Sequence, residues 1–187
     1  SGEADIPLVE NTALAANGHY FDTTFQGFMP ELMQEMYDDR VRYKQLMIEC
    51  QKSGDLTDVA KYNTIQMARK ISLNSAYGAM GNEWFRYYDL RLAEAITISG
   101  QLSIRWIEKH INKYINKLLS TEDNDYVIAI DTDSIYVTFD KLVNTVLPKG
   151  TEIARVVSFL DTVCKDKIES HIEASYKLLD TYLNAYE

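Results

Sequence analysis

Cysteine is scarce in this chain, and so is positive charge. The two cysteines among 187 residues, Cys50 and Cys164, lie far apart with no paired spacing. That excludes a disulfide framework, and they read as reduced core or surface thiols of a cytosolic-type protein. Lys and Arg number 19 against 28 Asp and Glu, for a net charge of −9. A freestanding nucleic-acid binder normally shows a basic footprint, so this balance argues against one. It leaves room for a piece of one, because the charge is segregated. Asp161, Asp166, Glu169, Glu173, Asp180 and Glu187 load the C-terminal end, while Arg40, Arg42, Lys44, Lys61, Arg69, Lys70, Arg86 and Arg91 crowd the first half. No signal peptide, no apolar run of membrane length and no internal repeat is present. The remainder is a chain the size of one domain or a piece of one, 46% hydrophobic and with 13 tyrosines.

The stretch richest in chemistry is Tyr126–Asp140. An apolar run, Val127–Ile130, leads into Asp131-Thr132-Asp133-Ser134, and a second run, Ile135–Phe139, follows at once. Both runs are β-branched and aromatic, so they read as strands joined at a tight polar turn. The hairpin tip then carries Asp131 and Asp133. Two apart in an extended backbone, they would share a face, and a divalent cation would relieve their repulsion. The competing reading is a plain turn whose carboxylates bond their own backbone. A calcium loop is excluded, because its third ligand and its glycine would fall on Ile135 and Tyr136. A phosphatase-type strand with D-x-D predicts a helix after the tetrad, where strand-like residues stand. It also needs downstream Lys and Asp elements, where the chain reads as helix.

Two long helices precede this hairpin. Glu31–Lys52 shows apolar residues at Leu32, Met36, Tyr43, Met47 and Cys50, the spacing of a buried stripe. Pro30 and Glu31 are good helix starters, with Pro30 expected at the first helical position. Ser53-Gly54-Asp55 reads as a stop and a new cap. Leu56–Ala79 is the second helix, with Val59, Tyr62, Ile65, Met67, Ile71 and Leu73 apolar, ending at Gly78 or Gly81. So short a break makes the pair antiparallel. Arg40 lies 15 residues before Asp55 (55 − 40) and Lys70 lies 15 after (70 − 55). They stand level, about 22 Å from the tip at 1.5 Å per residue. Arg40 and Lys44 are i, i+4, as are Lys70 and Asn74. Three cations and an amide at one level suit a polyphosphate. The alternative is solvated or locally paired surface charge.

The remaining segments are simpler. Residues 1–17 show no clear period, and Gly18–Phe28 reads as a short hairpin with Asp22-Thr23 near its turn. Asn82–Asp89 is dense in aromatics, most of them expected to pack under a loop. Leu90–Leu119 reads as a third long helix, its stripe running through Ile96, Leu102, Trp106, Ile107, Ile111, Tyr114 and Leu118. Gly100 within it suggests close approach of another backbone. Leu147-Pro148-Lys149-Gly150 breaks the chain, and Thr151–Glu187 is helical again, with a bend near Lys165-Asp166.

The order of these features resembles family B DNA polymerases. K-x-x-x-N-S-x-Y-G, Lys70 to Gly78, is followed about fifty residues later by D-T-D-S in a hairpin, as in two of that family's three signature blocks. N-E-W-F-R-Y-Y-D-L-R (Asn82–Arg91) and the A-I-T…G-Q of Ala95–Gln101 look like the replicative polymerases of T-even-type bacteriophages. The resemblance runs from about Phe28 onward.

It implies an α+β, mainly helical fold: a long antiparallel helix pair, the fingers, plus a partial palm with a β-hairpin flanked by helices. The expected division is 1–29 as a palm-side segment with a short hairpin, 30–80 as fingers and 81–187 as partial palm. By motif position Arg40, Lys44, Lys70 and Asn74 would hold the incoming triphosphate. Tyr77 would lie beneath the nascent base pair. Asp133, with Asp131 beside it, would be catalytic and hold the metal, two Mg²⁺ ions in the complete site. Fingers cations that swing in on the β and γ phosphates would couple closure to correct pairing. The implied partners are primer-template DNA and dNTP, with no membrane, in the cytoplasm of an infected bacterial host.

Two departures stand out. Ala129 and Ile130 occupy positions where the family commonly has Tyr-Gly, which puts any role of that Tyr near the primer end in doubt. The family's first palm block, an Asp followed by a Ser-Leu-Tyr-Pro-type run, does not occur upstream of Phe28, and exonuclease and thumb are missing too. The expectation is a fragment, inactive alone, that self-associates to cover palm surface. The competing class is an acidic helical protein-interaction module with no catalysis.

Overall fold

A computed structural model of the chain describes residues 9–185. The fold is α+β and mainly helical. It divides into two compact units, Asp22–Glu94 and the residues on either side of that span.

In the unit Asp22–Glu94, helix α1 (Phe28–Ser53) turns back into α2 (Leu56–Met80). Gly54, at φ 82°, takes the left-handed conformation that ends α1, and its N–H bonds the Cys50 carbonyl. Asp55 then caps α2, its carboxylate accepting from the N–H groups of Thr57 (3.2 Å) and Asp58 (3.1 Å). Stop and cap fall where the sequence puts them. Pro30 does not: α1 starts at Phe28, so Pro30 is its third residue. The first turn tolerates it because those N–H groups have no helical partner. Gly81 rather than Gly78 ends α2.

The expected buried stripes are only half-buried. No residue of α1 is buried, and in α2 only Gln66 is. Leu32 (39%), Met67 (41%) and Ile71 (61%) are exposed. Two helices alone cover only one side of each other. The seam is marked by Tyr43 stacked on Tyr62, ring centres 6.0 Å apart, and by Arg69 reaching Asp39 across the pair at 2.9 Å.

The aromatic loop after α2 also differs from expectation. Phe85 is half-buried and Tyr87 sits 4.9 Å from the Phe28 ring, but Trp84 is 87% exposed, and Tyr87 and Tyr88 are exposed too.

The other unit opens with a hairpin, β1 (Thr12–Leu14) and β2 (Tyr20–Asp22). It lies upstream of the expected Gly18–Phe28. Gly18, at φ 83°, makes its turn. Asp22 is the exit, its carboxylate accepting from the Thr24 N–H (2.8 Å) and hydroxyl (2.6 Å).

Helix α3 (Leu90–Leu119) matches its expected span. Ile107, Ile111 and Ile115, four apart, form one face of the core with Tyr126, Val127 and Ile168. Ile96 and Leu118 of the expected stripe are about half exposed. A side chain at Gly100 would meet open space, so no backbone approaches there. The chain continues through β3 (Val127–Asp131), β4 (Ser134–Val137), α4 (Asp140–Val146) and α5 (Ile153–Val163). A π-helical turn, Cys164–Glu169, joins α5 to α6 (Ser170–Leu183), and it covers Lys165-Asp166, where the sequence suggested a bend. Among the described residues no helix is long and apolar enough to cross a membrane.

Candidate nucleotide and metal site

The helix pair sorts its charges. Asp39 accepts from Arg42 and from Arg69, both at 2.9 Å, and Lys61 lies 3.8 Å from Asp58. Arg40, Lys44 and Lys70 form no ion pair among the described residues. The contact of Asp39 with Arg69 fixes the register of the pair, since each stands 15 residues from Gly54 (54 − 39 and 69 − 54). By that register Lys44 stands 10 residues from Gly54, Arg40 14, Lys70 16 and Asn74 20 (54 − 44, 54 − 40, 70 − 54, 74 − 54), so Arg40 and Lys70 are about 3 Å out of step along the pair and the four spread over about 15 Å. Lys44, Lys70 and Asn74 are exposed. Arg40 is half-buried, and its Nε is buried with no hydrogen-bond partner. A buried donor left unpaired is costly, so Arg40 sits in a state that a ligand acceptor would improve. Tyr77, nearer the end of α2, is 44% exposed.

In the other unit, Asp131 and Asp133 lie at the tip of the β3–β4 hairpin and both are exposed. Asp131 closes the ladder opposite Ser134, and Thr132-Asp133 is a two-residue turn. The same-face argument from alternation therefore does not hold, because Asp133 lies in the turn rather than in extended chain. Thr132 has φ 55°, rare for a β-branched residue. The Thr132 hydroxyl donates to Asp131 at 3.1 Å, and Ser134 stands 3.5 Å from Asp133. Exposed carboxylate oxygens suit a hard divalent cation in kind. They fall short in number: among the described residues no group of three His, Cys, Asp or Glu side chains lies close enough to hold a metal ion.

Two residues that the sequence reading passed over hold this hairpin to α3. The Asn112 side-chain oxygen accepts from the N–H groups of Tyr126 (2.8 Å) and Val127 (3.1 Å). Its amide donates to Asp125 at 2.8 Å. Buried Asn116 donates to the Asn112 and Asn124 carbonyls and accepts from Thr121 and the Asn124 N–H. The available signal was a pair of carboxamides four apart beside an apolar helical stripe.

The chain is thus mainly helical α+β, with cations on α1 and α2 that form no ion pair among the described residues and two exposed carboxylates at the β3–β4 hairpin tip. A family model described as DNA polymerase family B matches residues 3–179. The chain belongs to that family. It is 46% identical over 143 residues to the DNA-directed DNA polymerase of Enterobacteria phage T4, covering 76% of this chain and 15% of that protein. It is 43% identical over 122 residues to the DNA-directed DNA polymerase of Escherichia phage RB69, covering 65% of this chain and 14% of that protein. It is 30% identical over 159 residues to the mouse DNA polymerase alpha catalytic subunit, covering 85% of this chain and 9% of that subunit. The chain thus spans about one seventh of the phage relatives' length.

Proposed function

We propose that this chain contributes the triphosphate-holding fingers helix pair and one carboxylate block of a DNA-directed DNA polymerase. The observation that carries the reading is the sorting of charge on α1 and α2. Asp39 pairs with both Arg42 and Arg69, while Arg40, Lys44 and Lys70, on the same stretch of the helix pair, form no ion pair among the described residues. Arg40 offers a fork of donors and the lysines point charges, with Asn74 beside them, for the β and γ phosphates of a dNTP. Tyr77 lies beneath the nascent base pair in this reading.

Asp131 and Asp133 would hold divalent metal, Mg²⁺ in the family reading. When bound, the metal supplies activation of a primer 3′-hydroxyl and charge neutralisation on the leaving pyrophosphate. Among the described residues these two carboxylates have no third ligand beside them, and the isolated chain is expected to incorporate no nucleotide. Primer-template DNA is the partner of the complete enzyme, and the cytoplasm of an infected bacterial host its place.

The test is dNTP binding by the purified chain with Mg²⁺, wild type against Arg40→Ala and Lys70→Ala. Binding that weakens in both variants supports the reading. Equal affinity in all three, in chains folded by circular dichroism, overturns the assignment of the helix pair.

A further inference from the structure

The strand that carries Asp131 is irregular, and the irregularity decides which way Asp131 faces. Val127 pairs with Val137, Ala129 with Tyr136, Ile130 with Ile135 and Asp131 with Ser134, leaving Ile128 as the extra residue of a bulge. Directly paired residues share a face of the sheet. Val127 is buried, and Val137 and Ile135 pack on the core. Val127 and Ile130 therefore both face the core side, although they are an odd number of residues apart. In an unbroken strand Val127 and Asp131 would share a face, and Asp131 would be driven toward the core. The bulge turns it to the opposite side, together with Ser134 and the exposed Tyr136.

The residues just before the bulge are clamped. One carboxamide oxygen of Asn112 takes both the Tyr126 and the Val127 N–H, and Asp125 holds the other end of that carboxamide at 2.8 Å. The Tyr126 carbonyl is fixed in turn by the Thr138 N–H at 2.8 Å, on the partner strand. We propose that Asn112 is a positioning residue: it pins the start of β3 so that the bulge falls at Ile128 and Asp131 is presented outward with the turn. The consequence for chemistry rests on the reading of Asp131 and Asp133 as metal-holding carboxylates. The register itself does not.

The test uses the isotopically labelled 187-residue chain and two readouts. Cross-strand contacts by NMR report the register, through Ala129 opposite Tyr136. Line broadening of the Asp131–Ser134 amides by Mn²⁺ alone reports the tip. In Asn112→Ala the Ala129–Tyr136 contact should be lost and the broadening reduced several-fold, with Ile107 and Ile111 signals unchanged. The swapped pair N112D/D125N keeps an acceptor for both N–H groups and a donor at 125, and should restore both readouts. A folded N112A chain with wild-type register and broadening overturns the proposal, and so does a swapped pair that restores neither. Should N112A fail to fold, amide exchange in the wild-type chain decides. Protection of Tyr126 and Val127 as strong as that of Ile111 supports the clamp, and exchange as fast as at Asp123 overturns it. Broadening that survives Asp133→Asn overturns the metal reading instead, and the register then decides the proposal alone.

Discussion

If Arg40 holds a dNTP as proposed, it sets stability against binding. Its Nε is buried without a partner on a helix pair whose other guanidinium groups, Arg42 and Arg69, are both paired with Asp39. An unsatisfied buried donor costs on the order of 1 kcal/mol or more. Arg40→Met keeps an unbranched chain of good helix propensity and removes the orphan. Its urea midpoint should rise, by about 1 kcal/mol of stability at unchanged slope, while dNTP binding falls. A variant that loses stability would mean the guanidinium is satisfied in solution. That Arg40 and Lys70 stand at nearby heights on the pair was legible in the sequence, because Gly54-Asp55 fixes the break, though the Asp39–Arg69 contact sets them about 3 Å out of step. That these cations are unpaired was not legible. It depends on Asp39 choosing Arg69 across the pair rather than a neighbour on its own helix alone, and such a choice is tertiary.

At the scale of elements, local chemistry was legible where a side chain bonds its own backbone neighbourhood. Asp55 is the clear case. Asp55→Ala removes the acceptor for the Thr57 and Asp58 N–H groups and should cost about 1 kcal/mol, measured by thermal melting, with little change in dNTP binding. The first hairpin was misplaced because its strands are three residues each, too short to show a period. The β3 bulge was invisible for a different reason, since it is imposed by Asn112 from another element. The α3–α6 seam carries a pH dependence. His110 stacks on Trp106 at 4.5 Å and faces His171 at 6.3 Å, which itself stacks on Tyr114. Burial, then Lys113, His171 and Lys109, push the His110 pKa below its ordinary 6.5. The unfolded chain therefore takes up a proton that the fold resists. This contribution to stability is complete above pH 6.5 and is lost as pH falls through the lower folded value. His110→Phe keeps the ring stack and should flatten that loss on the acid side of pH 6.5 in urea titrations. An unchanged acid limb would assign the loss to other groups.

For the molecule as a whole, the mainly helical class was legible from helical periodicity, and the family from the order of two motifs. Surface was not, because exposure depends on what each element is packed against. The apolar runs that read as strand and helix interiors leave Ile128 70%, Ile153 80% and Val157 60% exposed. Ile128 matters most. It is the bulged residue of a two-stranded sheet, and both outer edges of that sheet lack strand partners among the described residues. An apolar side chain beside unpaired N–H and C=O groups invites pairing with another strand. The net charge of −9 opposes this through repulsion between copies. The isolated chain should therefore associate as its concentration rises, and added salt should strengthen the association by screening that charge. Ile128→Lys places a charge at the hairpin without removing any core contact, so the melting temperature should stay within about half a kcal/mol of wild type in stability. In sedimentation velocity the wild-type coefficient should climb with loading concentration while that of the Lys variant stays flat. A variant that associates like the wild type would move the sticky surface to α5, where Ile153 and Val157 stand one turn apart. A wild-type chain that stays monomeric at high salt would remove the hairpin from consideration altogether.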